Sequence, residues 1–187
     1  MKYILLGLYP FIGTTLGASC VFILKNKINE KVERIILGFS SGIMLSALFF
    51  SLLIPSIELS TFLGNLRFIP SCVGVTLGIL MFVLIDKIIH KYQKKQFLMP
   101  LVVTLHNIPE GMAVGVAIAS LLQENILMTY ASVFALSIGI AIQNIPEGAI
   151  ISMALKSKGV SKFKSFLIGV ASGAVEPIAT FITILFT

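Results

Sequence analysis

Charged residues are scarce in this 187-residue chain: Asp, Glu, Lys and Arg together make up 12%, against 57% hydrophobic residues. So little polar surface cannot cover so much apolar side chain in water, which excludes a soluble globule. Cysteine is nearly absent, and Cys20 and Cys72 both lie inside apolar stretches. Two such residues build neither a disulfide framework nor a four-cysteine zinc cage, so buried thiols are expected. Stretches of about ten residues with alternating polarity are also missing, which excludes a transmembrane β-barrel.

What the chain has instead is long apolar runs. They extend from Tyr3 to Leu24, Ile35 to Ile57, Phe68 to Ile89, Leu98 to Leu122, Leu127 to Leu155 and Phe163 to Phe186. Each is near the length of about 20 residues that a helix needs to cross a hydrocarbon layer of roughly 30 Å. The spacing predicts an all-α, polytopic transmembrane bundle of six helices, one domain over residues 1–187. The first run could pass for a lipoprotein-type signal, with Lys2 ahead of it and Gly17, Ala18 and Ser19 before Cys20. Its length matches the other five, and Gly17 stands where such a signal wants an aliphatic residue.

The net charge of +6 does not indicate a nucleic-acid partner, because the basic residues follow a membrane pattern. Lys25, Lys27, Lys31 and Arg34 follow segment one, Lys87, Lys91, Lys94 and Lys95 follow segment three, and Lys156, Lys158, Lys162 and Lys164 follow segment five. Alternate loops thus carry twelve of the fourteen basic residues, which predicts cytoplasmic placement for those loops and an amino terminus outside.

Of the eight acidic residues, Glu30, Glu33 and Glu124 are in loops, and Glu58 and Asp86 stand near segment ends. Glu110, Glu147 and Glu176 remain inside apolar segments, where an unpaired charge is costly and must face a polar cavity or a partner. Two of them belong to a repeat. Segment four reads His106-Asn107-Ile108-Pro109-Glu110-Gly111 and segment five reads Gln143-Asn144-Ile145-Pro146-Glu147-Gly148.

Residues i and i+4 share a helix face, so His106 projects beside Glu110 and Gln143 beside Glu147. Asn107 and Asn144 stand about 100° around from their neighbours. Pro109 and Pro146 have no amide hydrogen for the Leu105 and Ile142 carbonyls, so kinks are expected there, facing protein or a pathway, not lipid. Gly111 and Gly148 permit close backbone approach. One proline-kinked helix with one polar residue is ordinarily a packing feature, whereas two near-identical copies on successive helices, each with an intramembrane Glu, indicate function. One imidazole, two carboxylates and three amides suit borderline divalent ions such as Zn²⁺, Fe²⁺, Mn²⁺ or Cd²⁺. The lack of thiolates argues against Cu(I), and the absence of a His-Glu-x-x-His sequence argues against an intramembrane metalloprotease.

These motifs resemble helices four and five of the ZIP (Zrt/Irt-like) metal transporter family, most closely its GufA-like branch. The resemblance implies that His106, Asn107, Glu110, Gln143, Asn144 and Glu147 are ligands of a two-metal centre. Glu176-Pro177 is similar to the family's Glu-Pro pair on helix six, which implies Glu176 as a further ligand. The stretch from Gly42 to Glu58 is similar to the family's second helix; it implies Met44 as a ligand and Ser51 and Glu58 on the access route. Asp86 and His90, near the cytoplasmic end of segment three, fall where release is expected.

The resemblance further implies transport of a divalent metal, zinc first, toward the cytoplasm. The mechanism would be an elevator in which helices one, four, five and six slide against the others. No enzymatic activity and no prosthetic group are expected; the partners are the metal as substrate, the lipid bilayer and a second copy in a homodimer. The expected location is the plasma membrane. Family members usually have eight helices and this chain stops after the sixth, so the alternative expectation is a truncated metal-binding membrane protein without transport.

Overall fold

With no water in the hydrocarbon layer to take up backbone hydrogen bonds, an apolar segment must satisfy its own amides, and a helix does so within one segment. The computed structural model describes residues 2–23, 30–92, 98–123 and 128–187. Lys25, Lys27, Lys94, Lys95 and Glu124 lie outside the described residues, as do the side chains of Met44, Ser51, Asp86 and His90. The described residues form the expected all-α membrane-spanning bundle, with no strand among them.

In chain order the helices are α1 (Lys2–Ile23), α2 (Glu30–Ser46), α3 (Ile54–Leu59), α4 (Ile69–Tyr92), α5 (Leu98–Leu122), α6 (Tyr130–Ser157), α7 (Lys162–Gly173) and α8 (Val175–Phe186). Five stretches among the described residues are long and apolar enough to cross a bilayer: α1, Ser41–Leu59, Pro100–Leu122, α6, and α7 with α8. The apolar part of α4, Ile69–Ile85, is shorter.

Two segments are less regular than their sequence predicts. The second passes from α2 through a π-helical stretch, Ala47–Leu53, into α3, and Pro55 stands in the first turn after that change. The sixth breaks at Ala174, three residues before Pro177, which has no N–H for the Gly173 carbonyl and cannot continue a regular helix from α7. By contrast, α5 and α6 run through Pro109 and Pro146 without interruption.

The ends of α6 are set by local chemistry. The Thr129 hydroxyl accepts from the Ser132 amide at 3.1 Å while Ser132 Oγ accepts from the Thr129 amide at 3.0 Å, a reciprocal N-cap. At the other end Gly159 adopts φ 88°, and the Val160 and Gly159 amides donate to the Leu155 and Lys156 carbonyls at 3.2 and 3.0 Å, closing the helix and turning the chain into α7.

One core cluster joins α1, α5 and α6 through Leu6, Val114, Ala117, Ile118, Val133, Leu136 and Ile140. Below it the helices meet backbone to backbone. A Cβ on Gly148 would strike the Thr14 carbonyl of α1, and a Cβ on Gly111 would strike the Glu176 backbone of α8. The two repeat glycines therefore bring α1 onto α6 and α8 onto α5, which packs α1, α5, α6, α7 and α8 as one group. The second segment rests on α6 and α4 on α5. Most of α4 presents apolar side chains outward, Leu77 and Leu84 among them, as expected of a lipid-facing surface. The thiols are free: Cys20 is half-buried, but Cys72 is exposed on α4 and not buried as expected, because it stands among outward apolar side chains of that helix such as Val73 and Val75.

Candidate metal centre

The i, i+4 spacing brings the expected side chains together on α5 and α6. His106 Nε2 lies 3.5 Å from Glu110 Oε1. One ligand atom from each of His106, Glu110 and Glu147 falls within 4.8 Å of the others, a spread that a single ion can gather with small side-chain movements. The Gln143 amide nitrogen, buried, donates to Glu110 Oε1 and approaches Glu147 Oε1 at 3.5 Å, so it bridges the two repeats. The His106 side chain is 40% exposed and that of Glu110 12%, so the donors run from an accessible imidazole to enclosed carboxylates.

His106, Glu110 and Gln143 face an open groove of about 260 Å³, walled opposite by Leu45, Leu48 and Leu52 of the second segment and by Phe82 of α4. The Phe82 ring meets the His106 imidazole edge-on, with centroids 5.7 Å apart. Apolar walls around a few convergent polar groups are the usual build of a binding site in protein interiors.

The other half of the expected ligand set lies deeper, among α1, α5, α6, α7 and α8. Asn107, Asn144 and Glu176 are fully buried. The Asn107 amide nitrogen donates to the Ser172 carbonyl at 3.0 Å, satisfying a carbonyl at the α7 end where the helix breaks. The Asn144 amide nitrogen donates to the Pro10 carbonyl at 3.3 Å and to Glu176 Oε2 at 2.9 Å. These bonds fix both amide orientations and leave Oδ1 of each pointing into the interior as an acceptor.

Glu176 is not in the His106–Glu110–Glu147 cluster. Both of its oxygens already accept hydrogen bonds, one from Asn144 and the other from Thr14 Oγ1 at 3.0 Å. Three carboxylates in one desolvated region repel one another, and a divalent cation is the simplest compensation.

Unpartnered atoms point the same way. Among the described residues, the buried side-chain N and O atoms without a hydrogen-bond partner are Thr15 Oγ1, Ser165 Oγ, Asn107 Oδ1, Glu110 Oε2, Asn144 Oδ1 and Glu147 Oε2. Four of these belong to the two repeats, and all four are acceptors facing no donor. Buried acceptors left this way are destabilising by about 1–3 kcal/mol each, a cost that a cation removes. The donor set fits a borderline divalent ion.

Glu58, expected on the access route, is exposed in α3. Met44, Ser51, Asp86 and His90 have side chains outside the described residues. Sequence reasoning missed Thr14 and Phe82. Thr14 had a signal: Pro10, Gly13, Thr14, Gly17 and Ala18 recur at helical spacing as a stripe of small residues on α1, the mark of a helix whose backbone approaches another closely. Phe82 had none, being one of the chain's fourteen Phe residues and flanked by apolar neighbours on both sides.

No sequence-family model matches the chain. It is similar to curated proteins named zinc transporter ZIP11. The Xenopus tropicalis protein is 29% identical over 251 residues, which take in 89% of this chain and 74% of that protein. The Homo sapiens protein is 27% identical over 257 residues, 89% of this chain and 75% of that protein. A shorter match to the Bos taurus protein is 38% identical over 68 residues, 35% of this chain and 20% of that protein. Both long alignments exceed the 187 residues of this chain, so these relatives carry insertions with respect to it.

Proposed function

We propose that the chain is a member of the ZIP family of metal transporters, on its likeness to the zinc transporters above, and that it carries a divalent transition-metal ion, zinc first, across the bilayer toward the cytoplasm. The observation that carries this reading is the gathering of His106, Glu110 and Glu147 beside four buried oxygens that lack donors. The ion enters by the groove under Leu45, Leu48 and Leu52, meets the accessible His106 imidazole first, and exchanges its water for the Glu110 and Glu147 carboxylates. Asn107, Asn144 and Glu176 extend the oxygen ligands inward, toward a second ion position. Gln143, which donates to Glu110 and approaches Glu147, ties the two carboxylates together. Met44 completes the first position, Ser51 and Glu58 line the access route, and Asp86 and His90 receive the ion on the cytoplasmic side.

No covalent step is needed, and the relatives are named as transporters. The glycine-mediated packing of α1, α5, α6, α7 and α8 into one group, against the lighter contacts of α2 to α4, supports a rigid-body shift as the motion. The protein acts in the plasma membrane with its amino terminus outside, as a homodimer.

The test is zinc uptake into proteoliposomes by the purified chain. Uptake is expected to be zinc-dependent, saturable and reduced at least tenfold by His106→Ala and by Glu147→Ala, because each removes a direct ligand worth more than about 1.4 kcal/mol. Uptake indifferent to both substitutions refutes the reading.

A further inference from the structure

Thr14 belongs to no motif, yet its side chain is fully buried and touches the one carboxylate that stands apart from the metal-ligand cluster. The niche around it is made by absent side chains. Its carbonyl lies against Gly148, and a Cβ on Gly173 would come within 2.7 Å of Thr14 Cβ and 3.0 Å of Oγ1. A β-branched side chain walled in this way keeps its rotamer, so only the hydroxyl hydrogen can move.

That hydrogen has two acceptors within reach, Glu176 Oε1 at 3.0 Å and the Pro10 carbonyl at 3.3 Å, and can serve only one at a time. The ionised carboxylate is the stronger acceptor. Pro10 is the ordinary i−4 alternative for a helical threonine. Asn144 shares both partners, since its amide nitrogen reaches Glu176 Oε2 and the same Pro10 carbonyl. Both donors to Glu176 therefore have the same second acceptor in place, and neither is stranded if the carboxylate turns to another partner.

We propose that Thr14 is a positioning residue of the metal site, holding the Glu176 carboxylate until an ion takes it and then turning its hydroxyl to the Pro10 carbonyl. The inference rests on Glu176 being a ligand. The hydrogen bond to Glu176 exists only before the ion is bound, so it lowers metal affinity and eases release. Deleting the hydroxyl strengthens binding by the difference between its charge-assisted bond to Glu176 and its neutral bond to the Pro10 carbonyl, about tenfold.

The test is calorimetric titration of Zn²⁺ into the purified full chain in detergent micelles. Thr14→Val keeps the shape and removes the hydroxyl; it is expected to bind Zn²⁺ about tenfold more tightly, with zinc uptake slowed by retarded release. Thr14→Ser keeps the hydroxyl and binds as the unmodified chain does. In a Glu176→Gln background, Thr14→Val has no further effect, a result that a merely structural role for Thr14 does not produce. If Thr14→Val does not fold, Thr14→Ala replaces it with the same expectation. Unchanged or weaker affinity without the hydroxyl, or the same shift with Glu176→Gln, overturns the inference and leaves the metal site standing. Failure of the unmodified chain to bind Zn²⁺, or binding indifferent to His106→Ala, overturns the reading of the site itself.

Discussion

Gly148→Ala is the smallest change that tests how the two repeats are built into the fold. The added methyl would strike the Thr14 carbonyl and crowd the Ala18 amide nitrogen, which lies 2.8 Å from its position. Both obstacles are backbone of α1, so no side chain can swing aside. To restore ordinary contact α1 and α6 must separate by roughly 1 Å, and overpacking of this kind costs about 1–3 kcal/mol. The separation also stretches the bonds from Asn144 to Pro10 and to Glu176, now 3.3 and 2.9 Å. Alanine otherwise favours a helix over glycine by up to about 1 kcal/mol. Gly78→Ala on α4 isolates that gain, because its methyl would meet nothing within 4 Å. Thermal unfolding in detergent should place the midpoint of Gly148→Ala below the unmodified chain by up to about 12 °C, the overpacking cost less the alanine gain, and that of Gly78→Ala level or slightly above. Zinc uptake should fall with Gly148→Ala and persist with Gly78→Ala. Equal midpoints and equal uptake for the two variants would refute the reasoning that backbone approach at the repeat glycine holds the site.

Two further expectations follow from particular contacts. Asn107→Asp keeps an oxygen where Oδ1 stands but replaces the amide donor to the Ser172 carbonyl, so it should lower stability by about 1–3 kcal/mol in chemical denaturation while Zn²⁺ binding survives. Loss of binding with stability intact would show that the Asn107 amide does not brace the break between α7 and α8. Gly159→Ala forces an L side chain to φ 88° at the α6 terminus, and should destabilise by about 1 kcal/mol with uptake unchanged; an unaltered melting midpoint would refute that account of the turn.

Much of the fold and half of the site were legible before any tertiary contact was known. Apolar runs of membrane length admit only helices, because an unpaired amide in hydrocarbon is too costly, and that argument needs no structure. The pairing of His106 with Glu110, and of Gln143 with Glu147, likewise follows from helix geometry, since residues four apart share a face. The breaks were less legible. Pro177 interrupts the sixth segment while Pro109 and Pro146 lie within continuous helices, and residue type does not separate these cases.

What the chain by itself determined is thus local: membrane-spanning helices, and a repeated cluster of metal-ligand side chains set by a period of 3.6 residues. Only the tertiary structure decided which faces meet. Helices α5 and α6 are apolar nearly all round, so no amphipathic stripe marks the side that packs inward. The contact of Gly148 with Thr14 and of Gly111 with Glu176, and the bond from Thr14 to Glu176, join residues far apart in the chain. Those contacts divide the expected ligands into an accessible group around His106 and a buried group around Glu176. The division arises because two glycines let backbones close to a distance at which a threonine on α1 reaches a carboxylate on α8.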